Sequence, residues 1–134
     1  MLKQLSIYAE NKKGALQAMT NALYEAGINI WGSVTNDGAE YGINRMVVSD
    51  PDKAKKVLTE KGYLCRFVDV LAVEIEDKPG ALNTLLTALL DSNVNVDYTY
   101  LSFNRDSSTP VMILHTADPE EVEICLKAKG FKMV

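Results

Sequence analysis

The feature that most limits how this chain can fold is an internal repeat. The segment ENKKGAL at residues 10–16 returns as EDKPGAL at residues 76–82, an offset of 66 positions. When residues 10–30 are aligned with residues 76–96, eight of the 21 positions are identical. Self-similarity at a fixed offset indicates one structural unit that occurs twice.

The repeat continues toward the C-terminus with a small change of register. Asp50 and its following proline return as Asp118 and proline, an offset of 68. The two additional residues fit the tip of a hairpin, because exposed loops tolerate insertions best. We therefore expect two domains, at residues 1–69 and 70–134. A unit of this size buries only a small core, so we expect the two to pack side by side.

Each copy has the same series of predicted elements. Alternating apolar and polar residues predict strands, apolar residues at helical spacing predict helices, and Gly, Pro and Asp mark their ends. The predicted strands cover residues 2–10, 28–35, 41–48, 95–103, 110–116 and 131–134, together with an extended stretch at 64–76. In this stretch the last strand of the first unit runs almost straight into the first strand of the second, around residues 71–76. The helices begin near residues 15, 50, 79 and 118, and a hairpin turn covers residues 36–38. The predicted fold class is α+β, with two ferredoxin-like βαββαβ units and an antiparallel sheet of about eight strands with helices on one face.

The face of the sheet away from the helices leads to a prediction about assembly. In the first copy we place Tyr8, Trp31, Met46 and Val48 on this face. An uncovered apolar sheet face invites a partner. We therefore expect a homodimer.

Charge and hydropathy exclude two classes of partner. The chain has 14 Lys and Arg against 18 Asp and Glu, for a net charge of −4 and a pI of about 5.0. A protein that binds the phosphate backbone needs a basic surface, so we expect no nucleic-acid partner. No stretch approaches the length of a membrane-spanning helix, and the N-terminus lacks a signal-peptide core. We expect a cytoplasmic protein without membrane association.

The residues that usually perform catalysis or bind metals are scarce. Cys65 and Cys125 stand alone and do not match under the repeat, and His115 is the single histidine. We interpret the cysteines as small core residues and the histidine as structural. Because no nucleophile and base stand in a catalytic pattern, we expect no catalytic residue, no metal and no cofactor, and hence no enzyme.

The repeated loop has the chemistry to bind a small zwitterion. A helix N-terminus presents unpaired N–H groups and the positive end of the helix dipole, which suit a carboxylate. Ahead of each helix, Asn11 or Asp77 offers an oxygen to an ammonium group, and an amide recurs at Asn29 and Asn95. Together these groups describe a site for a free α-amino acid. The alternative is that they merely build the turn, with Gly and Pro starting a helix and Asp capping it.

The same residues resemble a known family. A strand, the motif N/D-x-P-G-A/V-L, an amphipathic helix and then G/N-I/V-N-I/V resemble the ACT domain, an amino-acid-binding regulatory module, as two tandem copies over essentially the whole chain. The resemblance implies that a free amino acid binds at the interface between two ACT units. It implies contacts from the loop before the helix and from the start of the next strand: Asn11, Lys12, Lys13, Gly14, Ala15, Leu16, Asn29 and Ile30 in the first copy, and Asp77, Lys78, Pro79, Gly80, Ala81, Leu82, Asn95 and Val96 in the second. Lys13 stands where the family has proline, which leaves the first loop less rigid.

Three functions are compatible with these features. The first is a regulatory protein that binds a free L-amino acid and passes the signal to a metabolic enzyme or regulator through a shift in conformational populations. The second is a protein–protein interaction module that has the ACT fold and binds no ligand. The third is a small ferredoxin-like enzyme, which the scarcity of catalytic residues disfavours.

Overall fold

The computed structural model describes residues 1–36 and 41–134, with residue 41 described by its backbone alone. The chain forms two compact units. Lys3–Val68 make up the first unit, and Asp69–Val134 together with Met1–Leu2 make up the second. The turn predicted at residues 36–38 lies, beyond Asn36, outside the described residues.

The first unit follows the order strand, helix, strand, strand, helix, strand. Its elements are β1 (Leu2–Glu10), α1 (Ala15–Glu25), β2 (Ile30–Asn36), β3 (Tyr41–Val48), α2 (Pro51–Glu60) and the first part of β4 (Leu64–Glu74). β3 pairs antiparallel with both β1 and β2. α1 forms here because apolar residues recur at helical spacing, and the buried stripe consists of Met19, Ala22 and Leu23.

The core of the first unit consists of side chains from β1 and β3 packed with those from α1 and α2. Its large, fully buried members are Leu5, Ile7, Met19, Leu23, Met46 and Leu58. Burying each side chain of this kind contributes about 1.5–3 kcal/mol to the free energy of unfolding. The helices are therefore held on the strands by apolar packing.

The second unit repeats this plan. After the second part of β4 it contains α3 (Ala81–Asp91), β5 (Tyr98–Phe103), β6 (Pro110–His115) and α4 (Pro119–Ala128). β6 pairs antiparallel with β4 and β5, and the fully buried core residues include Leu71, Leu85, Leu114 and Leu126. The connection between β5 and β6 is longer by two residues than that between β2 and β3, as the change of register predicts.

The prediction of about eight strands is wrong, because the described residues form six. β4 is one continuous strand that ends the first unit and begins the second, so two predicted strands become one. The predicted final strand, residues 131–134, is reduced to an isolated bridge between Val73 and Met133. The α+β class and the antiparallel pairing are confirmed.

The sheet face assigned to Met46 and Val48 is also wrong. Met46 pairs with Leu5 across β1 and β3, and paired residues share a face. Both Met46 and Val48 belong to the core that the helices cover. Tyr8 alternates with Ile7 and so lies on the other face. The argument for a homodimer loses two of its four residues, and the homodimer stays a prediction.

A β-bulge changes the side-chain alternation of β2. The register between β2 and β3 shifts between Ile30 and Gly32. After this shift Ser33 pairs with Met46 and Thr35 with Asn44. The two hydroxyl side chains therefore lie on the helix side of the strands, whereas uninterrupted alternation from Ile30 would place them on the opposite face.

Candidate functional site

Each unit places the repeated loop between a strand and the start of a helix. Gly14 precedes α1 at φ 84° and ψ −4°, and Gly80 precedes α3 at φ 87° and ψ −8°. These values lie in the left-handed region that favours glycine. A Cβ atom at either position would meet no described heavy atom within 4 Å. The backbone conformation is thus what requires glycine, and the space beside it is open.

The helices that follow these loops begin differently from the other two helices. In the described part of the chain, no side chain caps α1 or α3, and neither has an acidic residue in its first turn. By contrast, the Asp50 carboxylate caps α2 by accepting from the Lys53 N–H at 3.2 Å, and α4 has Glu120 and Glu121 in its first turn. Among the described residues, neither a capping side chain nor an acidic side chain of the first turn therefore offsets the positive ends of α1 and α3.

An ion pair holds the strand side of each loop. Lys12 Nζ lies 2.9 Å from Glu10 Oε2, and Lys78 Nζ lies 2.6 Å from Glu76 Oε2. In the first unit, the hydrogen bond and the opposite charge lower the pKa of Glu10 and raise the pKa of Lys12. Both side chains therefore stay charged near neutral pH, and their charges offset each other.

A cavity of similar composition borders the loop in both units, and we call it the loop cavity. Its volume is about 450 Å³ in the first unit and about 380 Å³ in the second. Eight lining positions match under the repeat: Tyr8, Ala9, Glu10, Lys12, Ala15, Ala18, Gly62 and Tyr63 in the first unit, and Glu74, Ile75, Glu76, Lys78, Ala81, Thr84, Gly130 and Phe131 in the second. The turns after α2 and α4 are absent from the predicted site, although their matching Gly-Tyr and Gly-Phe pairs at an offset of 68 are a signal for them.

The first unit has a second cavity, of about 280 Å³, which we call the hairpin cavity. It is lined by Ala9, Glu10, Asn11, Lys12, Gly14, Ala15, Leu16, Gln17, Thr35, Asn36, Gly42 and Asn44. Gly42 is required here because a Cβ atom would lie 2.7 Å from the carbonyl oxygen of Asn36. The Asn44 side chain, 5% exposed, donates from Nδ2 to Thr35 Oγ1 at 2.7 Å. Asn44 and Thr35 are also absent from the predicted site, because only the strand register reveals that they face the loop.

The structure brings the predicted loop contacts of the first unit together. Asn11, Lys12, Gly14, Ala15 and Leu16 line the hairpin cavity, and Lys13 lines the loop cavity with three of them. In the second unit Lys78 and Ala81 line the loop cavity. The other predicted residues of that loop are exposed at the start of α3: Asp77, Pro79, Gly80 and Leu82.

The predicted strand contacts lie elsewhere in each unit. Asn29 and Ile30 border a cavity with Tyr24 at the C-terminal end of α1, and Gln17 belongs to both this cavity and the hairpin cavity. Because α1 has 11 residues, it separates Asn29 from the loop by about 16 Å. Asn95 borders a cavity at the start of α4, and Val96 packs against the core. Within one unit, loop and strand contacts do not line a common cavity.

Two α+β units with the same glycine loop and the same uncapped helix start define a tandem repeat of one domain. The chain belongs to the ACT domain pair family, whose model matches residues 1–133. The resemblance noted from the loop motif is thereby confirmed. No curated protein matches the chain.

Solved structures of the same fold include a bacterial relative of substantial identity. Protein BT0572 from Bacteroides thetaiotaomicron is 32% identical, with a TM-score of 0.91 over 99% of this chain and 91% of that one. The ligand-free regulatory subunit of aspartate kinase from Thermus thermophilus is 15% identical, with a TM-score of 0.67 over 96% and 90% of the two chains. The corresponding subunit from Thermus flavus is 18% identical, with a TM-score of 0.61 over 96% and 91%. The two subunits share the fold of this chain.

Residues 1–36 and 41–134 contain neither a candidate membrane span nor a candidate metal cluster. No helix there has the length and apolar character needed to cross a membrane. No group of three or more His, Cys, Asp and Glu side chains there is arranged to hold a metal ion.

Proposed function

We propose that this protein binds a free L-amino acid at the loops before α1 and α3 and transmits its presence to a partner protein. The observation that carries the proposal is the loop cavity, which occurs at matching positions in both units beside a helix start without a capping side chain. In this arrangement the ligand carboxylate accepts from N–H groups in the first turn of the helix. Its ammonium group donates to the side-chain oxygen of Asn11 or Asp77.

In this proposal, the amides of Asn29 and Asn95 contact a ligand that is bound at the loop of a neighbouring unit. Since each lies away from the loop of its own unit, a ligand that touches a loop and one of these amides takes them from two ACT units. A homodimer would supply such a neighbour. Binding would then favour one arrangement of units over another, which is how a ligand shifts a conformational equilibrium.

The partner in this proposal is a metabolic enzyme or a regulator in the cytoplasm. The proposal is supported by the fold shared with regulatory subunits of aspartate kinase. The chain itself acts by binding and not by catalysis. Ligand affinity and partner affinity would be coupled reciprocally, so a partner would tighten amino-acid binding by the factor by which the amino acid tightens partner binding.

The proposal is tested by a thermal-shift screen of the protein against free L-amino acids at millimolar concentration. A ligand at 100 times its dissociation constant stabilises the folded state by about 2.7 kcal/mol, which raises the melting temperature by roughly 6–15 °C for a chain of this size. The control compounds are the amine and the 2-oxo acid derived from each hit. Each lacks one of the two charged groups, so neither should raise the melting temperature.

A matched pair of variants locates the site. Ala15→Asp or Ala81→Asp adds a carboxylate to the first turn of α1 or α3, where it occupies the place of the ligand carboxylate and itself stabilises the helix. The free protein should therefore melt no lower, while the ligand-induced shift from that unit should disappear. Thr87→Asp adds the same charge at an exposed position in the middle of α3 and should leave the shift unchanged. A shift that survives in the double Ala15→Asp, Ala81→Asp variant would place the site elsewhere, and a flat screen would favour the interaction module.

A further inference from the structure

The hairpin cavity of the first unit differs in its walls from the matching region of the second. Asn44 pairs with Thr35 across β3 and β2. The matching pair across β6 and β5 is Met112 with Leu101. One unit thus has an amide and a hydroxyl where the other has two apolar side chains, on strands that otherwise correspond position by position.

A buried amide at this position costs stability unless its hydrogen bonds are made. Asn44 Nδ2 makes two, to Thr35 Oγ1 at 2.7 Å and to Ser33 Oγ at 3.2 Å. Because the Thr35 oxygen accepts from Asn44, the hydroxyl hydrogen remains available to a second acceptor. Thr35 is exposed and lines the hairpin cavity. Asn44 therefore holds Thr35 as a hydrogen-bond donor in the cavity wall.

We propose that Thr35, positioned by Asn44, selects an amino acid with a neutral polar side chain at the first unit. This inference rests on the proposed function, in which the ligand carboxylate lies at the start of α1. Gly14 and Ala15 line both cavities, so a ligand anchored there can extend its side chain into the hairpin cavity.

The charge and size of the hairpin cavity define the side chain that fits. Among the described residues that line it, the charged ones are Glu10 and Lys12, which pair with each other at 2.9 Å. This part of the wall therefore offers no net charge to a charged side chain. The donor at Thr35 calls for an acceptor oxygen, which a hydroxyl or carboxamide group provides. The volume of about 280 Å³ equals that of roughly nine water molecules, enough for such a side chain. The matching strand positions of the second unit, Leu101 and Met112, offer no such donor.

The test uses pairs of amino acids that match in shape and differ in polarity. L-threonine with L-valine and L-asparagine with L-leucine are titrated calorimetrically into the Ala81→Asp variant, in which only the first loop remains open. The polar member of each pair should bind about three to ten times more tightly, the value of one hydrogen bond. Thr35→Val removes the hydroxyl at an exposed position and should abolish this preference. Asn44→Leu removes the side chain that positions Thr35 and should therefore also reduce the preference for the polar amino acid.

A control separates selectivity from general damage to the strands. Thr99→Val removes the hydroxyl that donates to the Ile113 carbonyl at 2.8 Å in the second unit, and it should leave the preference at the first loop intact. If Thr35→Val binds with the original preference, or if the apolar member of each pair binds more tightly before substitution, the inference is overturned while amino-acid binding stands. If none of the free L-amino acids binds the unsubstituted protein, the proposed function falls and this inference falls with it.

Discussion

The first and second units have nearly the same loop and different walls around it. Gly14 and Gly80 agree within a few degrees in φ and ψ, and the ion pair beside each loop joins the same two positions. The strand pair that faces the loop is polar at Asn44 in one unit and apolar at Met112 in the other. The repeat therefore keeps the backbone that starts the helix and varies the side chains of the strand pair.

If the two units are equivalent as folded structures, truncating the same core side chain should lower the free energy of unfolding by the same amount in each. Leu23 and Leu89 occupy matching positions and are fully buried. Leu23→Ala and Leu89→Ala should each lower the free energy of unfolding by about 2–5 kcal/mol, because a cavity replaces the side chain. Urea denaturation measures the loss. The outward neighbours Tyr24 and Leu90 provide the control, since truncating them should change stability by only about 0.5 kcal/mol. Unequal core losses would show that the equivalence stops at the loop.

The loop glycines test the shared backbone directly. Gly14→Ala and Gly80→Ala should each lower the free energy of unfolding by about 1–2 kcal/mol, the cost of a left-handed conformation for a residue with a Cβ. Nothing crowds the added atom, so this backbone cost is the whole effect. Gly→Asn at the same positions should cost less, because asparagine tolerates this conformation. Equal losses for alanine and asparagine would indicate a steric clash and contradict the geometry.

Helix capping distinguishes the units at a second pair of matching positions. Asp50 caps α2 through the Lys53 N–H, whereas Asp118 makes no capping bond with its side chain among the described residues. Asp50→Ala should lower the free energy of unfolding by about 1 kcal/mol, and Asp118→Ala should lower it by less than half of that. Urea denaturation of the two variants decides between these values. Equal losses would mean that both carboxylates act through the helix dipole.

The sequence predicts those parts of the fold that depend on residues close together in the chain. The hydrophobic period and the turn residues identify the four helices and the paired strands of the described residues. The count of strands fails at β4 because nothing in residues 64–76 marks where one unit ends. The predicted face of Met46 is wrong because this face depends on the pairing of Met46 with Leu5. The alternation within a single strand does not encode a contact between such distant residues.

The same distinction between local and long-range causes applies to the residues of the candidate site. The loop residues are predictable because glycine, lysine and the start of a helix stand side by side in the chain and repeat. The position of the Thr35 hydroxyl is not predictable, because the bulge between Ile30 and Gly32 moves Thr35 to the other face of the strand. Asn44 lies in a predicted strand, and the alternation of that strand does not reveal its partner. Side chains contributed by a paired strand require the register, and the register is set by packing over the whole unit.

The smallest expected difference between the units is their response to acid. The Asn104 amide donates to Glu74 Oε1 at 2.7 Å, and Lys132 Nζ lies 3.2 Å from its Oε2. These contacts, the amide first, lower the pKa of Glu74 below its ordinary value. The matching residue of the first unit is Tyr8, which carries no such charge. A lowered folded-state pKa adds stability above the ordinary pKa of about 4.3, and this stability is lost as the pH falls through the folded value.

Glu74→Gln should therefore lower the free energy of unfolding by a few tenths to about 1 kcal/mol at pH 7, since the ion pair is partly exposed. At pH 3 the difference from the unsubstituted protein should shrink toward zero. Urea denaturation across this range measures both values, and Lys132→Met should reproduce part of the change by removing one contact. A loss that stays constant from pH 7 to pH 3 would show that Glu74 stabilises the second unit through packing or neutral hydrogen bonds, and the charge-dependent difference between the units would then disappear.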